Sequence, residues 1–331
     1  MLSTIKKLQH KIDSLRSYLT PLLPLANCHM VEFITQNHWE TLVPEQLRRK
    51  LDGWDLNYAV EKFWESAESP ATSSTCCVEA GGGRGHLLVA LCLGYNIPSL
   101  TVDCDDSKVR AYCYLFCVFL GLHTCGDLGP ASLRMFASRP SIGGVFNVPC
   151  CYHLLSEGDG GHVGFPMSQY LAGEGYKLGR NARMLAAQSI DRVVGERQLP
   201  AKSLLYRALL QVLIKTHLPK ESISEGRLKR LASKCDNFQD YFKMADAMLD
   251  LGLFDRLPQS CLKEIYSEMD CHWRKLVLFY LLRLCLAQVI ESVILLDRLL
   301  FLLENDFDKV FLVKLFDPVL SPRCHAIVAV R

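Results

Sequence analysis

A chain of 331 residues that is 50% apolar and 22% charged, with a mean hydropathy of +0.12, has the side-chain volume for a sizeable core, which excludes disorder as a class and suggests about two domains. Its 37 basic against 35 acidic residues leave +2 at pH 7, so it has no global field for nucleic acid or an anionic membrane, and a basic surface has to be local. Fifteen cysteines, odd in number and irregular in spacing, behind an N-terminus without a secretory apolar core, indicate reduced thiols and a cytoplasmic or nuclear protein.

Residues 1–68 are predicted to be a helical region, because Ile5, Leu8, Ile12, Leu15, Leu19 and Leu22 recur at three- and four-residue steps before Pro21 and Pro24 stop the helix. Trp54, Tyr58 and Trp64 are expected to pack inward. Composition makes 69–75 a linker to a domain over 76–331. That domain opens with CCVEAGGGRGHLLVALCLG, an apolar run, a glycine turn and a helix-compatible run, and SLTVDCDD follows as a second strand. The apolar run at 112–122 suits a strand buried on both faces; GPASLRMFAS reads as a short helix and SIGGVFNVPCCYHLL as the next strand. This alternation predicts an α/β fold with a mostly parallel sheet.

From about 156 to 275 the pattern is a helical insertion, and 174–234 carries 13 Lys and Arg against 5 acids. The apolar stretch 276–303 is interrupted by Arg283, Gln288, Glu291, Asp297 and Arg298, too costly for a lipid-facing span, so no membrane crossing is expected. KVFLVKLFD and CHAIVAVR then predict an antiparallel hairpin at a sheet edge, with Pro318 and Pro322 in its connection.

Glu79, Gly81, Gly83 and Gly85 form E-x-G-x-G-x-G between a strand and a helix, where the backbone can approach a ligand closely. Asp103 ends the following strand, placed to accept hydrogen bonds from a ribose. The pattern resembles the first motif of S-adenosylmethionine-dependent methyltransferases. His123, Cys125 and Asp127 close one later strand, and Cys150, Cys151, Tyr152 and His153 close its expected neighbour, at the carboxyl edge where open α/β sheets bind ligands. Asp127 or His123 is read as the group that orients or deprotonates an acceptor, and Tyr152 as a base-stacking platform. The cysteines are read either as substrate contacts or as small buried hydrophobes. His123, Cys125, Cys150 and His153 offer zinc-compatible types without paired spacing, so no metal is expected. Arg180, Asn181 and Arg183 open a helix in the basic segment, as candidate contacts to RNA phosphates.

LGLHTCGDL and NVPCCYHLL, together with FPMSQYL, LGRNARML, VIESVILLDRL and KLFDPVLSPRCHAIVA, resemble the methyltransferase-like protein 25 family over about residues 76–331. The H-x-C-G-D and C-C-Y pair is also similar to tRNA ribose methyltransferases of the Trm-thirteen type. The resemblance implies a class I methyltransferase (Rossmann-like) sheet of order 2-1-4-5-7-6, S-adenosylmethionine as cofactor and RNA as acceptor; no protein partner is implied. The chain departs from the family where Asp103 and His123 stand only 20 residues apart, which removes the usual third strand and part of the adenine pocket. That shortening leaves impaired catalysis, or a non-catalytic interaction protein on the same fold, as the alternative.

Overall fold

The computed structural model describes residues 2–67 and 117–331, apart from 159–162, 189, 198, 220–227, 229–230, 232–234, 236 and 322. In chain order the elements are α1 (Leu2–Leu19), α2 (Leu23–Asn27), α3 (His38–Leu42), α4 (Glu45–Asp52), α5 (Leu56–Ala67), β1 (Cys117–Cys125), α6 (Leu128–Ser138) and β2 (Ile142–Cys150). There follow α7 (Gln169–Gly173), α8 (Arg180–Leu185), α9 (Ile190–Gly195), α10 (Ser203–His217), α11 (Phe238–Leu249), α12 (Gln259–Leu284), α13 (Ala287–Glu304), β3 (Lys309–Lys314) and β4 (His325–Val330). The chain divides into two compact units, one of Met1–Ala26, Ser69–Gly195 and Cys285–Arg331, the other of Asn27–Glu68 and Glu196–Leu284.

The first unit is built on a sheet of order β1-β2-β4-β3, in which β1 and β2 run parallel and β4 lies antiparallel to both β2 and β3. This is the 4-5-7-6 part of the expected order, with the hairpin in place; the strands expected before and within SLTVD lie outside the described residues. IGGVFNVPC makes the central strand because it is apolar or small at almost every position, and β2 is buried along nearly its whole length. Burial of 112–122 on both faces does not hold among its described residues: Val118 is 52% exposed, and Leu120 and Leu122 are half-buried. The edge strand β3 is mostly exposed and begins and ends in lysine, which discourages pairing with another chain.

Helix α13 is apolar all round because it lies in the core of this unit, with Ile290, Val293, Ile294, Leu300 and Leu302 fully buried. Ser260–Glu304 does contain a window of mean hydropathy 1.9, long and apolar enough to cross a membrane, and 61% of that window is buried in the protein. α1 ends at Leu19, just before Pro21, as expected, and Pro21 lies within a 3-10 turn over Thr20–Leu22; Pro24 differs from expectation, occupying the first turn of α2, where no backbone donor is required.

In the second unit Tyr206 of α10 packs on Phe238 and Tyr241 of α11, with ring centroids 5.9 and 5.7 Å apart. Trp64 is buried there, whereas Tyr58 is 46% exposed and meets Trp54 edge-on, so the inward packing expected of Tyr58 is not found.

Candidate functional site

The carboxyl ends of β1 and β2 meet through a bulge. Gly121 pairs with Asn147 and Thr124 with Pro149, so Leu122 and His123 together oppose Val148. An extra residue re-aims the side chains that follow it. Thr124 turns inward and donates to the Val148 carbonyl at 3.0 Å and to Asn147 Oδ1 at 3.3 Å. Asn147, fully buried, donates through Nδ2 to Ser132 Oγ at 2.6 Å and to the Gly129 carbonyl at 3.3 Å, which ties the first turn of α6 to the sheet. A buried amide so fully paired is a fixed anchor. After the bulge Cys125 comes into register with Cys150.

The chain leaves β1 through Gly126 at φ +52, whose N–H donates to the Cys150 carbonyl at 3.3 Å. A Cβ there would lie 2.8 Å from Leu154 Cβ and 2.9 Å from its carbonyl oxygen, so this turn requires glycine on two counts. Asp127 Oδ1 accepts the Ser156 N–H at 2.8 Å, and Ser156 Oγ accepts the Gly164 N–H at 2.7 Å. Any side chain at Gly164 would strike the Asp127 carboxylate. The loop after β2 is thereby folded back over the strand ends.

Exposed at this lip are His123, Cys125 and Asp127; Cys150 is buried, Cys151 and Asn181 are half-buried, and Arg180 is exposed at the start of α8. Burial lowers the His153 pKa, and the nearby Arg180, Arg323 and Arg183 lower it further. Two expected roles are corrected. Tyr152 is 1% exposed and its hydroxyl donates to Glu291 Oε1 at 2.8 Å, so its ring is not available to stack on a base. Arg183 is 5% exposed, pairs with Glu157 at 2.5 Å, and donates to the Tyr152 and Leu155 carbonyls at 3.2 and 2.9 Å, so it holds the loop rather than phosphate. Glu79, Gly81, Gly83, Gly85 and Asp103 lie outside the described residues.

Several groups that organise this region escaped the sequence reading. Glu157 accepts the Leu178 N–H at 2.6 Å and the Gly179 N–H at 3.0 Å, joining the loop to the start of α8. Asp297, fully buried in α13, accepts from the Met167 and Ser168 N–H groups at 2.7 and 3.0 Å and from Ser168 Oγ at 2.6 Å. Burial nevertheless pushes its pKa up to about 6, these hydrogen bonds and Arg298 opposing the shift. Burial likewise takes Glu291 up to about 7, against the Tyr152 hydrogen bond and Arg323. Glu291 and Asp191 line a cavity of about 360 Å³ together with Lys11, Lys314, Cys324 and His325. The signal was present as charges inside an apolar helix, a pattern that marks buried, paired ions as well as the end of a membrane argument.

A parallel strand pair joined by a helix, with its polar residues gathered at the carboxyl edge and an antiparallel hairpin closing the sheet, is an α/β arrangement consistent with a methyltransferase domain. The family described as methyltransferase domain matches residues 111–158, which from residue 117 on are β1, α6, β2 and the loop behind them. The chain is similar to methyltransferase-like protein 25: it is 43% identical over 225 residues to the human "Probable methyltransferase-like protein 25" and 42% identical over 226 residues to that of Mus musculus. Each match covers 65% of this chain, and the chain spans 37% of the length of these relatives. No solved structure matches it.

Proposed function

We propose that the chain transfers a methyl group from S-adenosylmethionine to RNA, with the carboxyl edge of β1 and β2 as the acceptor lip. The observation that supports this most is the coincidence of the matched methyltransferase domain with the strand ends that expose His123, Cys125 and Asp127. The fold fits the cofactor: among the described residues β1 has β2 on one side only, so its other edge can take the strand that leads into the glycine turn. Glu79, Gly81, Gly83 and Gly85 would then hold the methionine end, and Asp103 the ribose.

Bound there, the cofactor supplies an electrophilic methyl group on a sulfonium. The protein's task is position, since the acceptor atom has to approach in line at about 3 Å. Asp127, anchored through the Ser156 N–H, or His123 at the same lip, takes the proton the acceptor loses. With Arg183 committed to Glu157, Arg180 remains the exposed cation of α8 for phosphate.

S-adenosylhomocysteine should raise the melting temperature, because a ligand at 100 times its Kd adds about 2.7 kcal/mol, and Gly83→Asp should abolish that rise. No rise at millimolar ligand overturns the cofactor assignment. Labelled methyl appearing in protein rather than RNA overturns the acceptor. The spacing of 20 residues between Asp103 and His123 favours a second reading, a non-catalytic interaction protein. On that reading neither ligand nor Gly83→Asp changes partner binding.

A further inference from the structure

Three sulfurs meet at the end of this sheet. Cys125 and Cys150 are register partners on parallel strands with their Sγ atoms 2.9 Å apart, and the Sγ atoms of Cys125, Cys150 and Cys151 all lie within 4.8 Å of one another. Neighbouring residues of a strand point to opposite faces, so a Cys-Cys pair in regular β structure cannot present both thiols to one point. Here the alternation is broken. Cys151 takes the left-handed conformation at φ 48, ψ 47, and its carbonyl accepts the Leu154 N–H at 2.8 Å in a 3-10 turn. A left-handed, non-glycine residue with a half-buried side chain is a strained choice, and strain of this kind gathers at functional positions.

We propose that Cys125, Cys150 and Cys151 form a three-thiolate site for a thiophilic divalent cation, zinc in its commonest form, with the fourth coordination position open to solvent on the side of exposed Cys125. Sulfurs on a tetrahedral zinc at about 2.3 Å stand about 3.8 Å apart, inside the spread seen here, and the Cys125 side chain is free to open the close pair. Binding displaces one proton from each thiol, so M²⁺ and three R–SH give M(S–R)₃⁻ and three protons released to solvent. The resulting negative unit has a counter-charge waiting. The Arg298 guanidinium is 1% exposed, none of its three nitrogens has a hydrogen-bond partner among the described residues, and its field reaches Cys150 as well as Asp127, Asp297 and Tyr152. The positive charge of Arg323 acts on Cys151 as well.

The same trio is poorly suited to act as a bare nucleophile or redox pair. Burial, followed by contact with Cys125, raises the Cys150 and Cys151 thiols above their ordinary value, and the reactive form is the thiolate. A metal ion makes the thiolates itself. No part of this inference depends on the methyl-transfer reading.

The test is titration of the reduced, metal-free full chain with Co²⁺, reading thiolate-to-cobalt charge-transfer absorbance. One equivalent should bind with release of three protons, and Zn²⁺ should displace it. Cys125→Ser, Cys150→Ser and Cys151→Ser should each weaken binding at least tenfold, while Cys271→Ser, an exposed cysteine of α12, should leave it unchanged. Cys125→Ser alters an exposed side chain, so a variant that still melts cooperatively keeps the test valid if the buried-site variants fail to fold. The proposal is overturned if the folded chain shows no charge-transfer band, or if folded Cys125→Ser binds as tightly as the parent. It is equally overturned if mild oxidation gives a Cys125–Cys150 disulfide at the same rate with and without Zn²⁺.

Discussion

Replacing Arg183 by methionine separates a structural from a phosphate-binding arginine. The change removes an ion pair at 2.5 Å and two hydrogen bonds to carbonyls, and leaves Glu157 with backbone N–H donors alone in a site where only 13% of its side chain is exposed. Removing one partner of a buried pair costs about 3–5 kcal/mol, whereas an exposed arginine contributes about 0–1. With a urea m-value near the upper end of the usual range, about 3 kcal/mol/M, the midpoint should fall by roughly 1–1.7 M. All four tryptophans, at positions 39, 54, 64 and 273, belong to the second unit, so fluorescence reports on that unit and not on the one holding Arg183. Hydrogen exchange of peptides from β2 and α8 as a function of urea is therefore the appropriate assay, with Arg180→Met as the exposed control. If the two variants lose protection at the same urea concentration, Arg183 is not the keystone of this loop and the phosphate role returns.

Glu291 should make stability fall with rising pH. Its folded pKa of about 7 lies above the ordinary 4.5, so its contribution is fully present below about 4.5 and is lost as pH rises to about 7. The full span corresponds to about 3 kcal/mol, shaped by the Tyr152, Arg323, Asp191 and Cys324 groups that face it. Glu291→Gln should flatten that slope in pH-dependent melts, and an unchanged slope would refute the assignment. Asn147→Leu should destabilise by about 1–3 kcal/mol, because Ser132 and Gly129 lose a buried donor, and thermal melting checks it. Gly126→Ala should cost about 1–3 kcal/mol and speed proteolysis in the loop after β2, since both φ and the Leu154 contact oppose a methyl group. An equally resistant variant would show that the turn is looser than drawn.

Sequence alone determined the elements whose signal is local. Periodicity found α1, alternation between apolar strands and helices found β1, α6 and β2, and two apolar runs around a proline-bearing connection found the β3–β4 hairpin. The gathering of His123, Cys125, Asp127, Cys150 and Cys151 at one edge also followed, because parallel neighbouring strands present their ends together. Tertiary structure decided what each of these side chains does there. A tyrosine or arginine near a strand end reads the same in sequence whether it faces solvent or core, and only the arrival of Glu291 from α13 and of Glu157 from the loop made Tyr152 and Arg183 internal. The same holds for the sulfurs: CC in a strand reads as one residue per face. It took a one-residue bulge in β1 and one left-handed φ at Cys151, neither with a sequence signature, to turn three thiols toward a common point.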